Sequence, residues 1–291
     1  MDRRSFISLV AIPFVFQNLR HSRKKNSDPQ ATSRYIYSQA VRRSRTDGWD
    51  KLAIGPLMGH IAELFVGTPY VGGTLEGDGP EVCRIDLTGL DCVTLFENVL
   101  NISRVIKHGK SSWEDLVKEV SFTRYRRGLL KDYTSRLHYT ADWIDDNVYK
   151  KVVTDITRDL GGDIYPINVH FMSENPKYYR PLTEDSSMVV RISEIEESLA
   201  STSRHLVPKD RIAEIEHLLE TGDIVAIATS KEGLDYAHTG LIIRAGGQAR
   251  LMHASSQKKK VILDGRVSEY VAGVRTHIGI SVVRPVAVAR S

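Results

Sequence analysis

Five short runs rich in β-branched residues close this chain, at 224–228, 238–243, 250–254, 261–263 and 277–283, separated by glycine-rich or charged turns. Runs of that length and spacing read as an antiparallel sheet or a small barrel. Upstream the texture is helical. Leu95, Val99, Ile102 and Ile106 recur at i, i+4, i+7 and i+11, and Phe96 and Leu100 widen the stripe. The stretch from Cys92 to Ile106 is therefore predicted to be a mostly buried helix, with Asp91 as its N-cap. Helices first and strands last imply an α+β domain.

Residues 57–65 carry apolar positions at helical spacing and stop at Gly67-Thr68-Pro69, a helix terminator. Gly72-Gly73 and Gly77-Asp78-Gly79-Pro80 then mark a loop. The middle third, 111–203, is mixed, with helices expected near 113–120 and 193–199; a short helix over 210–219 ends at Thr221-Gly222. Residues 31–49 are polar and read as a poorly packed lead-in or a surface helix. Structure proper is thus expected from about Asp50, with one domain over 50–291 that carries an inserted segment at roughly 107–220.

With 41% hydrophobic and 26% charged residues among 291, the chain can bury a large core, and disorder, collagen and coiled coil are excluded. Its net charge of +4 comes from 40 basic against 36 acidic residues. Arg3, Arg4, Arg20, Arg23, Lys24 and Lys25 oppose only Asp2 and Asp28 in the first thirty, leaving 34 of each sign on a neutral body. A nucleic-acid-binding domain shows its basic excess on the fold itself, so nucleic acid is not an expected partner. The leader, 1–30, brackets an uncharged apolar run at 6–16 that falls short of the ~20 residues of a membrane span. Basic residues ahead of such a run are the pattern of an export signal, and Arg3-Arg4-Ser5-Phe6-Ile7 resembles the twin-arginine kind. A periplasmic or cell-envelope location is the expectation, with no membrane span beyond the leader. No small-x-small cleavage site follows Phe16, so an uncleaved anchor or a non-secretory leader stays open.

Cys92 falls at the first turn of the predicted buried helix, where free N–H groups and the positive dipole end stabilise a thiolate. An inert core cysteine is the alternative. Asp91 opposes a thiolate by charge, but a capping carboxylate spends its oxygens on backbone donors. Two histidines favour chemistry. If Gly246-Gly247 is a two-residue hairpin turn, opposed residue numbers sum to 493, so His238 faces Ser255 and His253 faces Gly240. Both imidazoles then share one face as diagonal neighbours, about 7–8 Å apart at Cα. A three-residue turn would put them on opposite faces. One imidazole can take the thiol proton while the other orients it, the logic of a Cys-His-X triad. With no His-Glu-x-x-His and no Cys-x-x-Cys, neither a metal site nor a cofactor is expected.

Gly67-Thr68-Pro69-Tyr70-Val71-Gly72-Gly73, Leu90-Asp91-Cys92-Val93-Thr94, His238-Thr239-Gly240-Leu241-Ile242 and His253-Ala254-Ser255-Ser256 resemble, in that order, the NlpC-like superfamily of papain-fold cell-wall cysteine hydrolases. Further blocks resemble one branch of it, N-acetylmuramoyl-L-alanine amidases once grouped as a domain of unknown function. These are Leu75-Glu76, Phe96-Glu97-Asn98, Ser135-Arg136-Leu137-His138-Tyr139 with Asp142-Trp143, Phe171-Met172-Ser173 and Gly222-Asp223-Ile224. The likeness spans about residues 50–285. It implies a papain-like fold whose catalytic cysteine begins a buried helix packed on a C-terminal antiparallel sheet.

By the matching motifs, Cys92 would be the nucleophile, His238 the general base and then acid, and His253 the orienting member. Tyr70 hydroxyl and the Cys92 N–H would hold the oxyanion. The inserted segment would shape a substrate groove, with Arg136, His138, Tyr139, Asp142 and Trp143 offered to the carboxylates, amides and sugar of a muropeptide. A structural ion pair or a core position is the other reading of each. Asp235 either binds a substrate amine or caps a turn, and Glu97 reads as a buried structural acid. Cys83 stands outside the pattern; a disulfide with Cys92 would silence the enzyme. The resemblance implies hydrolysis of the N-acetylmuramoyl-L-alanine bond of peptidoglycan fragments through a thioester. The alternatives are an endopeptidase cutting between D-glutamate and the diamino acid of the stem, and a non-catalytic cell-wall-binding module.

Overall fold

The structure, a computed structural model, describes residues 28–288, so all but the end of the expected leader lies outside the described residues. Helices α1 (Pro29–Thr46), α2 (Ile54–Glu63), α3 (Cys92–Lys107), α4 (Trp113–Arg124) and α5 (Thr140–Tyr149) precede strands β1 (Val153–Asp155) and β2 (Asp163–Ile164). Short helices α6 (Phe171–Glu174) and α7 (Arg180–Glu184) lead into α8 (Ser186–Ala200), β3 (His205–Pro208) and α9 (Ile212–Ile215). The chain closes with β4 (Ile224–Thr229), β5 (Tyr236–Ala245), β6 (Gln248–Ser255), β7 (Lys260–Arg266), α10 (Val267–Ala272) and β8 (His277–Pro285). The five expected C-terminal strands are β4 to β8. Together with the helices they form a mixed α+β fold.

The sheet runs β2-β3-β8-β4-β5-β6-β7, with β1 also paired to β8, and its named pairings are antiparallel. Period-two alternation gives it two apolar faces. Ile224, Ala226, Leu241, Ile243, Met252 and Ala254 join the core built with α2, α3 and their neighbours. Val225, Ile227, Ile242, Leu251, Ile280 and Val282 join a second core with Ile212 of α9 and Val267 and Val271 of α10. Helix α3, almost wholly buried, lies against β5 and β6.

Of the two readings of residues 31–49, the structure has the surface helix and not the poorly packed lead-in. Most of these residues lie in α1, where Ser33, Tyr37, Ala40, Val41 and Ser44 are buried at i, i+4, i+7, i+8 and i+11. Ordered structure therefore begins before Asp50; the serines and tyrosine make that stripe look polar in the sequence. The inserted segment is likewise built into the sheet, because its β1 and β3 both pair with β8.

Helix α3 is fixed at both levels that matter for its first residue. Asp91 Oδ1 accepts from the Thr94 N–H at 2.8 Å and the Thr94 hydroxyl accepts from the Asp91 N–H at 2.9 Å, a reciprocal capping box. One turn on, Glu97 Oε2 takes Arg124 of α4 at 2.5 and 2.8 Å, a buried pair that makes Glu97 structural, as expected. Among the described residues no helix is long and apolar enough to cross a membrane.

Candidate active site

Cys92 is the first residue of α3 and keeps partial contact with solvent. Burial, and then the Asp91 carboxylate, push its thiol up to about 11 against the pull of the Thr239 hydroxyl and N–H on β5 and of its own N–H. The sulfur is thus a protonated thiol at neutral pH. That corrects the thiolate expected from the helix terminus alone: the site withdraws water from the sulfur and sets a carboxylate beside it. Both cysteines are free. Cys83 Sγ faces the Val117 carbonyl on α4 at 3.8 Å, and burial raises its thiol as well.

The histidines meet. Gly246 and Gly247 have φ of 59° and 77°, the left-handed pair that a two-residue type I′ turn requires. Pairing runs from Ala245↔Gln248 to Leu241↔Met252, the register anticipated from those glycines. His238 Nε2 lies 2.7 Å from His253 Nδ1, with ring planes at 90°. Gly240 makes the approach possible, since a Cβ there would lie 2.8 Å from Met252 O and 3.3 Å from His253 Cβ. His253 is 1% exposed, and its Nε2 reaches Asp264 Oδ2 on β7 at 3.3 Å. Burial lowers the pKa of both imidazoles, His238 well below the usual histidine range, so both rest neutral.

Two tyrosines lie within electrostatic reach of the sulfur. Tyr270 of α10 packs its ring 5.8 Å from that of His238 and 4.8 Å from that of His253. Its hydroxyl is raised by burial and then by Cys92, so it sits within electrostatic reach of the sulfur. Tyr70 is held by its N–H on Lys259 O at 2.9 Å and by the following N–H of Val71 on Leu90 O at 3.1 Å. Burial, then Cys92 and Asp91, raise the Tyr70 hydroxyl, which stays protonated and able to donate.

Most of the remaining sequence-predicted residues spend their polar groups on the protein, while the buried Trp143 Nε1 has no hydrogen-bond partner among the described residues. Buried Arg136 pairs with Glu76 at 2.6 Å and Glu81 at 3.6 Å, and donates to Leu75 O at 3.1 Å, pinning the loop that follows Tyr70. His138 bonds through Nε2 to Tyr133 O at 2.8 Å, and burial lowers it to about 3. Tyr139 hydroxyl bonds Glu196 of α8 at 2.6 Å, and Asp142 holds Arg126 by two bonds of 2.6 and 2.7 Å. Trp143 packs edge-on to Phe96 of α3, ring centroids 4.9 Å apart. Asp235 caps a helix rather than a turn: its carboxylate accepts from Ala141 N in α5 and from Tyr236 N, both at 2.7 Å. Asp142 also lines a cleft of about 530 Å³ with Arg126, Ser135 and Arg191, which neither Cys92 nor the two histidines line.

Sequence reasoning missed Thr239, Asp264 and Tyr270. Asp264 had a readable signal, because His253 pairs with Ile262 and the residue two further along shares that face. Tyr270 had none, its place being set by how α10 folds back on the sheet.

Comparison with known proteins gives this geometry a context. An AmiA-like, N-acetylmuramoyl-L-alanine amidase-like family model matches residues 60–280. A crystal structure of an N-acetylmuramoyl-L-alanine amidase from Bacteroides uniformis shares 34% identity over 80% of this chain and 99% of that one, with a TM-score of 0.76. A Bacteroides fragilis structure described provisionally as a xylanase shares 32% over 77% and 98%, TM-score 0.71. A Legionella pneumophila protein at 20% identity, over 90% of this chain and 99% of that one, has the same fold with a TM-score of 0.64. None of the curated proteins matches. The family match embraces α3 with Cys92, the Gly246-Gly247 hairpin that joins His238 to His253, and β7 with Asp264, and on it the chain belongs to the AmiA-like family of N-acetylmuramoyl-L-alanine amidase-like proteins.

Proposed function

We propose that the chain is a cysteine amidase, of the papain-like NlpC type, that hydrolyses the bond between the lactyl group of N-acetylmuramic acid and L-alanine in peptidoglycan fragments. The observation that carries this is the hydrogen-bonded His238–His253 pair linked to the sulfur of a helix-starting cysteine through two neighbours, Thr239, which bonds Cys92, and Tyr270, which packs on both imidazoles and lies within electrostatic reach of Cys92, in a chain of an amidase-like family. His238, neutral at rest, removes the Cys92 thiol proton as the sulfur attacks the lactyl carbonyl carbon and the carbonyl electron pair moves onto oxygen. The Cys92 N–H and the Tyr70 hydroxyl hold that oxyanion. Collapse breaks the C–N bond, and the leaving amine of L-alanine takes the proton from His238. Water, deprotonated by His238, then splits the thioester and returns the thiol. Because the thiol sits high and the imidazole low, proton transfer accompanies C–S bond formation instead of preceding substrate.

The inserted segment contributes the wall of the groove through its framework, with Arg136 holding the 75–81 loop and Asp235 holding the start of α5. A glycosidase reading is disfavoured by the acids nearest the site: Asp91 is committed to the helix cap and Asp264 to His253, where glycoside hydrolysis needs two opposed carboxyl groups free to face one bond. A substrate outside the cytoplasm accords with export through the leader; removing residues 1–30 is expected to spare turnover and abolish export. The decisive assay is digestion of a disaccharide tetrapeptide followed by mass spectrometry. Free tetrapeptide from the wild type, lost in Cys92→Ala, is the expected result. Full turnover by Cys92→Ala overturns the mechanism, and a split within the stem peptide replaces the amidase with an endopeptidase.

A further inference from the structure

We propose that Asp264 is a positioning residue which, through His253, dictates which nitrogen of His238 carries the lone pair. The proposal rests on the reading of His238 as the base for Cys92. A neutral imidazole has one N–H and one lone pair, so in a chain of two rings a single end group sets the polarity of the whole. Asp264 supplies that end. Its carboxylate accepts the Gly265 N–H on Oδ1 at 2.8 Å and faces His253 Nε2 with Oδ2 at 3.3 Å. An ionised carboxylate only accepts, so His253 Nε2 bears the hydrogen and His253 Nδ1 the lone pair. That lone pair faces His238 Nε2 at 2.7 Å, which must then be the N–H. His238 Nδ1 is left as the free base. With the opposite polarity His238 Nδ1 would already hold a proton and could take none from the thiol.

The surroundings make the idea sharp, because amide and deletion variants should rank in an unexpected order. In Asp264→Asn the Gly265 N–H selects the amide oxygen, which turns the NH₂ toward His253 Nε2. A donor there demands a lone pair on Nε2, moves the His253 hydrogen to Nδ1, and drives the His238 hydrogen onto Nδ1. In Asp264→Ala the opening reaches solvent, since the Asp264 side chain is 42% exposed, and a water can accept from His253 in its place.

The test uses the full chain with ¹⁵N-labelled histidine, signals being assigned through His238→Ala and His253→Ala, beside kcat/KM on a disaccharide tetrapeptide. Wild type is expected to show His238 protonated on Nε2. Asp264→Asn is expected to show it on Nδ1 and to lose about 10²–10⁴-fold in kcat/KM, as when the carboxylate beneath a triad histidine becomes an amide. Asp264→Ala should lose only about tenfold, with no inversion, and Asp264→Glu should recover most of that. A wild-type His238 protonated on Nδ1, or an Asn variant no worse than Ala, overturns the proposal. The wild-type spectrum decides even if the Asn variant does not fold. It also needs no substrate, so an amidase reading undone by an active Cys92→Ala would leave the tautomer result standing on its own.

Discussion

The resting state of the Cys92 thiol can be read directly from its alkylation by iodoacetamide as a function of pH. Burial and Asp91 hold the Cys92 thiol at about 11. At pH 7.5 such a thiol is ionised to about 3 parts in 10⁴, whereas an ordinary cysteine near 8.5 reaches about one part in ten. Cys92 should therefore label about 20-fold more slowly than an unperturbed cysteine, the roughly 300-fold deficit in thiolate being partly offset by the greater nucleophilicity of a high-pKa thiolate. Since only the thiolate reacts, the rate should climb tenfold per pH unit, with an inflection near 11. Exclusion of the reagent would slow labelling at every pH and leave the inflection where it is, so the inflection reports the chemistry of the thiol. Labelling is followed on the Cys92 peptide by mass spectrometry in a Cys83→Ala background, because Cys83 is also free. Asp91→Asn removes the second cause of the rise while still capping α3, and should shift the inflection down and quicken labelling at pH 7.5. An inflection near 6 or 7 in the wild type would refute the argument, since it would mean that a thiolate–imidazolium pair forms before substrate arrives.

Other consequences concern the frame around the sulfur. Arg124→Leu should cost about 3–5 kcal/mol in urea denaturation by stranding Glu97, and adding Glu97→Met should restore much of it. Gly240→Ala should cost about 1–3 kcal/mol and lower kcat, because the new methyl meets Met252 O and the His253 Cβ. Asp235→Ala leaves the Ala141 and Tyr236 N–H groups without their acceptor and should cost about 2–4 kcal/mol. Burial holds Asp235 up to about 6, so the folded protein keeps its proton where the unfolded chain has lost it. Wild-type stability should accordingly fall by roughly 3 kcal/mol in all as pH rises from about 3 to 7, about 2 of it between pH 4 and 6, and Asp235→Asn should erase that slope.

The parts legible in the sequence were those governed by neighbours along the chain. Gly246-Gly247 selected a turn, the turn selected a register, and the register brought His238 to His253. The cap at Asp91 and the apolar stripe of α3 were equally local. What escaped depends on distant partners. Strands β1 and β3 are three and four residues long and become strands by lying beside β8, not by their own periodicity. Arg136 and Asp142 carry no mark that tells an internal ion pair from a substrate contact; Glu76, Glu81 and Arg126 decide that in three dimensions. The thiol's protonation escaped for the same reason, since position on a helix speaks for the dipole and only the packed fold speaks for the water removed.

Strand β8 is the last of the described strands in chain order, and three others wait for it. It lies along β4 on one side, while on the other Val207 pairs with Ile280 and Val153 with Pro285. Contacts so far apart in the chain are slow to close, because the loop must be ordered before the pairing rewards it. A nascent chain that ends at 276 already contains Cys92, His238 and His253, yet it has an open β4 edge and no seat for the middle third. In coupled translation such a chain is expected to be inactive and to aggregate through that edge. Competence then arrives in one step, when β8 is added to the sheet.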